Sequence, residues 1–130
     1  MGCIGVCSLT FAQTPEQELI AKVFKLITIN DIPLLIYELK PTISLQGSSF
    51  NNLITQCTHA DIIYGSTFET LPKECQAIAR FTTNYDVFQK DEKTIGAFYW
   101  RKGRPQLRFD KDRCEHFNIF LPSELVRYVQ

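Results

Sequence analysis

Two stretches of this chain, PLLIYEL at 33–39 and ADIIYGS at 60–66, run apolar almost without interruption. Successive side chains of a strand point to opposite faces, so a strand with one wet face alternates polar and apolar residues. A short run that does not alternate must be covered on both sides, as in a parallel sheet between layers of helix. At 130 residues the chain has room for one such domain and not two. The longest apolar run beyond the N-terminus, IPLLIY, falls far short of the roughly 20 residues a membrane helix needs.

The rest of the pattern fits that frame. In PEQELIAKVFKLI, residues Leu19, Ile20, Val23, Phe24 and Ile27 recur at helical spacing, with Glu16, Glu18, Lys22 and Lys25 off that face. Thr14 precedes it as an N-cap, Pro15 takes the first helical position and Gln17 completes a capping box. Asn30-Asp31-Ile32-Pro33 should end this helix. NLITQC and AIARFTT read as further strands, TFETLPKEC as loop or short helix, and NYDVFQKDEK as a polar, turn-rich segment anchored by Tyr85, Val87 and Phe88. TIGAFYWRKGRPQLRF has the form of a hairpin turning at Lys102-Gly103. Pro105 cannot donate to a ladder, which puts the returning strand at an edge or starts it late. DKDRCEHF fits a short helix, and LPSELVRYV a last amphipathic one with Leu125, Val126 and Val129 inward. We therefore expect an α/β fold: a three-layer α/β/α sandwich on a mixed, mostly parallel sheet, with a C-terminal β-hairpin, formed by residues 14–130.

The opening MGCIGVCSLTFAQ carries no charge and ends in small residues, Thr10 and Ala12, at the −3 and −1 positions of a cut before Gln13. That is the form of a signal-peptidase site after an apolar segment, so residues 1–12 are expected to be a truncated signal-peptide remnant. A disordered N-terminus and lipidation at Gly2 and Cys3 are the alternatives, although Val6 stands where the myristoylation pattern wants Ser or Thr. Export would leave Cys57, Cys75 and Cys114 in an oxidising compartment. Three is odd and forces no pairing. Cys57 and Cys75 have the first claim, because they flank the same expected strand.

The chemistry-bearing candidates are few. Cys57-Thr58-His59 and Cys114-Glu115-His116 could together ligate zinc or copper and serve a metal-binding redox protein. Residues two apart on a helix point about 200° apart, however, and a buried thiol beside a surface histidine accounts for each pair. Glycines are too sparse for a phosphate loop, and no GxGxxG, GxxxxGK[ST] or GxSxG occurs. We expect no enzyme and no cofactor. Gly65, Ser66 and Thr67 at the end of one strand, with Thr82 and Tyr85 at the end of the next, stand where α/β folds bind small ligands or anions. Arg101, Lys102, Arg104, Arg108, Lys111 and Arg113 surround the hairpin beside Tyr99 and Trp100. Acidic residues interleave with them, and fourteen basic residues balance fourteen acidic ones, which argues against nucleic acid. Aromatic and arginine side chains are enriched at protein-binding hot spots, so Tyr99, Trp100, Arg101, Lys102 and Arg104 are the expected partner surface.

The order of these signals resembles the YfiR-like periplasmic family of small exported bacterial α/β proteins. The match runs through ADIIYGS, ARFTTNYDVF, IGAFYWRKGRPQLRF and IFLPSELVRYV, covering residues 60–130 well and 16–39 loosely. The family's Trp-Pro after the first helix is absent from TINDIP. The resemblance implies a periplasmic regulatory module acting on a membrane-anchored protein partner by protein–protein contact, with a homodimer as one expected state. It carries over no functional residue.

Overall fold

The computed structural model describes residues 14–130, and the expected leader at 1–12 lies outside them. Helix α1 spans Pro15–Leu26. Thr14 caps it, its Oγ1 accepting the Gln17 amide at 3.1 Å, but the expected capping box is only half made. Instead of returning to Thr14, the Gln17 side chain donates to the Ser44 and Gln46 carbonyls, both at 2.8 Å. The helix buries Ile20, Ala21, Val23 and Phe24, with Ile27 just beyond its end, whereas Leu19 stays exposed. Each large side chain buried this way contributes on the order of 1.5–3 kcal/mol.

After α1 the chain makes a small hairpin that the sequence reading did not contain. Strands β1 (Thr28–Ile29) and β2 (Ile32–Pro33) flank Asn30 and Asp31, both at positive φ, 51° and 63°. These are the residue types that tolerate a primed two-residue turn. The run PLLIYEL is thus divided. Its first residue belongs to β2, and the buried strand β3 is only Ile36–Leu39.

Strand β4 (Leu53–Ile54) is short, and β5 (Ile62–Gly65) is buried at every position. Strand β6 (Ala79–Thr82) leads into helix α2 (Tyr85–Lys90), where the sequence suggested only turns. Asn84 caps this helix through the Asp86 amide at 2.9 Å. Strands β7 (Thr94–Arg101) and β8 (Arg104–Phe109) form the expected hairpin, followed by α3 (Lys111–His116) and β9 (Ile119–Phe120).

The main sheet has six strands in the order β4-β3-β5-β6-β7-β8, parallel except for β8. Strand β8 is an edge, which accommodates Pro105. A second sheet, β2-β1-β9, is antiparallel. Residues Ser123–Tyr128 form a 3₁₀ segment and not the expected α-helix: Leu125 turns inward, but Val126 is 59% exposed.

The two faces of the main sheet are covered differently. Under α1 the rings of Phe24, Phe50, Tyr64 and Phe81 meet, with Phe24 edge-on to Tyr64 at 5.4 Å and to Phe81 at 5.0 Å. The opposite face carries Ile63 under Phe68, Leu71 and the Cys57–Cys75 disulfide, and Ala97 and Tyr99 under Phe88 of α2. Arg113 of α3 ties this layer to the start of β7. It donates to the Phe88 carbonyl at 2.6 Å and the Thr94 carbonyl at 2.9 Å. Among the described residues no helix is long and apolar enough to cross a membrane.

Candidate functional site

All the parallel strands end at one edge of the molecule, and the chain leaves them in opposite directions. From β3 it crosses the α1 face, burying Leu45 and Phe50 beneath the helix. From β5 it crosses the other face, burying Phe68, Leu71 and Cys75. Strands β3 and β5 are neighbours, so the divergence opens a crevice at their carboxyl ends, the position at which open α/β sheets bind ligands.

Three hydroxyls converge in that crevice. Thr42 Oγ1 lies 3.0 Å from Ser66 Oγ, which lies 3.0 Å from Thr83 Oγ1, and Thr83 closes the ring to Thr42 at 3.1 Å. Ser66 Oγ also donates to the Lys40 carbonyl at 3.3 Å. Thr82 stands beside the ring, donating to the Ser66 carbonyl at 2.9 Å and accepting from the Asn84 amide at 3.0 Å. Gly65 permits the arrangement because a Cβ there would lie 2.4 Å from the Leu39 carbonyl oxygen, closer than any side chain can approach.

Of the strand-end residues expected from sequence, Gly65, Ser66 and Thr82 therefore come together. Thr67 lines a separate cleft of about 400 Å³ with Phe68, Arg80 and Asp91. Tyr85 turns away to Tyr99, their ring centres 4.6 Å apart. Thr83 lies within the expected strand end between Thr82 and Tyr85, but Thr42 was missed: it sits in a loop that no motif marks, and only its place in the fold brings it to Ser66. None of the three ring hydroxyls bonds to a histidine, carboxylate or lysine, the partner a nucleophilic hydroxyl requires. The ring can hold a ligand by hydrogen bonds but has no base to activate it.

The hairpin tip is the second feature. Lys102 and Gly103 adopt φ of 53° and 77°, the primed turn that matches strand twist. Adjacent residues of β7 face opposite ways, and this separates the two aromatics expected to act together. Tyr99 is only 7% exposed and packs under α2, so it leaves the partner surface. Trp100 is 50% exposed on the α1 side. There it borders a groove of about 540 Å³ between the first turn of α1 and the β3–β4 connection, whose walls include Glu16, Gln17, Thr42, Ile43 and Ser44.

Arg101, Lys102 and Arg104 are exposed at the tip. Among the described residues only Arg80–Asp91 and Arg113–Asp110 form ion pairs, so the tip cations are uncompensated. The wider basic cluster does not form one patch. Arg113 binds beside Thr94, about 23 Å of strand from the tip, and Arg108 turns to its own strand, donating to Leu107 and Gln106.

The Cys-x-His pairs do not assemble a metal site. Cys57 is bonded to Cys75, with Cα atoms 6.0 Å apart. Cys114 is 2% exposed and its thiol points at the Ile95 carbonyl, while His59 and His116 lie at the surface. Burial pushes the Cys114 thiol up to about 12, helped by Asp110 and Glu115, so it stays protonated. Among the described residues no group of three or more His, Cys, Asp or Glu converges as a metal site would require. The chain matches no protein-family model, no curated protein and no solved structure.

Proposed function

We propose that this chain is an exported, non-catalytic binding module that docks on a membrane-anchored protein in the periplasm through the tip of its β7–β8 hairpin. The observation that carries the reading is the tip itself. A half-exposed tryptophan stands beside three exposed cations that have no acidic partner among the described residues, on a two-residue turn at positive φ. Rigid aromatic and arginine anchors are what protein interfaces use at their hot spots, and unpaired positive charge selects an acidic counter-surface. The Cys57–Cys75 disulfide supports export, because such bonds persist in oxidising compartments and are rare in reducing ones.

Capture from solubilised membranes tests the proposal. The wild-type domain should retain a membrane protein that the Trp100→Ala, Arg104→Ala variant loses while melting at the same temperature. Equal retention by both would remove the hairpin from the account.

A further inference from the structure

The groove shares Trp100 with the hairpin tip, but its other walls lie on α1 and the β3–β4 connection, and their chemistry points elsewhere. We infer that it is a saccharide site, taking a pyranose ring against the indole of Trp100. A sugar ring presents an apolar face of C–H groups and a rim of hydroxyls that each donate and accept. A matching site needs an aromatic surface and a mixture of donors and acceptors, a carboxylate among them, without a cluster of positive charge.

The groove supplies these parts. Trp100 offers its ring and its indole N–H, and Glu16 a carboxylate that only accepts. Neither side chain has a partner among the described residues. Thr42 also lines the groove, and its Oγ1 belongs to the three-hydroxyl ring. Among the described residues Glu16 carries the only formal charge on the lining, which disfavours phosphates and carboxylates. Among the described residues Ile43 is the only aliphatic side chain on the lining, too little for a lipid chain. The volume, about 540 Å³, lies within the range of small-molecule clefts.

The walls are also fixed before any ligand arrives. The β3–β4 connection is pinned by Gln17 to the Ser44 and Gln46 carbonyls, by Ser44 Oγ donating to Glu38 at 2.9 Å, and by the Leu45 amide donating to the same carboxylate. Tyr64 reaches up from β5 and donates to the Ile43 carbonyl at 2.5 Å. A preformed groove loses little ordering entropy on binding.

Trp100 is the only tryptophan in the chain, so its emission reports on this groove directly. The purified protein should be titrated with maltose and with N,N′-diacetylchitobiose, and with phosphate and acetate as anionic probes. We expect a saturable change in emission with at least one disaccharide at about 1 mM, weakened about tenfold or more by Glu16→Ala and by Thr42→Val. Arg104→Glu should leave it unchanged, which separates this site from the docking tip. No saturable response to either disaccharide overturns the inference. So does a response to the anions alone, or a disaccharide response that survives both groove substitutions.

Discussion

Trp100 lies directly across the hairpin from Pro105, one rung before Arg101 and Arg104 close the turn. Pro105 has no N–H to present along the outer side of edge strand β8, so the strand resists extension by another chain just where Trp100 is exposed. The tip is therefore suited to side-chain contacts and unsuited to strand pairing. Because Trp100 is half exposed, Trp100→Ala should change stability by no more than about 1 kcal/mol in urea unfolding while removing partner capture. A large loss of stability would make Trp100 a core residue instead.

The disulfide clamps the approach to β5 to the loop that follows it, across 18 residues of sequence. Closing a loop of that length removes unfolded-state freedom worth about 3 kcal/mol. The Cys57→Ala, Cys75→Ala variant should lose roughly that amount at pH 7, with the wild type under reductant falling to the same midpoint. Coincident unfolding curves with and without reductant would mean that the bridge contributes nothing.

Gly65 has the Leu39 carbonyl oxygen where a Cβ would stand. A backbone atom in a parallel ladder cannot swing aside, so Gly65→Ala should cost about 3 kcal/mol. It should also disturb the Thr42–Ser66–Thr83 ring, read as shifted amide resonances at those positions. A neutral substitution would show that β3 and β5 can separate freely.

Much of this fold could be read from the residues, and the exceptions have physical causes. The capped first helix, β5, β6 and the β7–β8 hairpin are local patterns: an N-cap, an unbroken apolar run, a primed turn. The β1–β2 hairpin was hidden because Ile32 and Pro33 continue an apolar run into β3, and the Asn30-Asp31 turn looks like a helix stop. Helix α2 was hidden because it is six residues long and mostly polar, buried only through Phe88. At the site, Ser66 and Thr82 were legible as strand ends, whereas Thr42 reaches them only through tertiary structure. Tyr99 was misplaced for want of a register: it neighbours Trp100 in sequence but faces the opposite side of the sheet.

Alkaline pH should expose the buried thiol. The Cys114 proton is held to about 12 in the folded state against an ordinary value near 9, chiefly because burial disfavours the thiolate. Below pH 9 both states keep the proton and stability is flat. Between about 9 and 12 the unfolded chain loses a proton that the folded chain retains, so stability falls by up to about 1.4 kcal/mol per pH unit from this group. Tyr64, raised in the same direction by burial and by Glu38, steepens the decline at its upper end. Urea midpoints from pH 7 to 11 should show the fall, with a shallower slope in Cys114→Ala. A slope that this variant leaves unchanged would assign the effect to other groups.

Docking through the hairpin tip is the claim on which the functional account rests, and site-specific photocrosslinking tests it inside the cells that make the protein. A photoreactive residue replacing Lys102, at the exposed turn, should crosslink to one membrane protein. The same residue replacing Thr58, exposed beside the disulfide, should not. A membrane-protein adduct from position 58 alone, or none from position 102, would contradict the account.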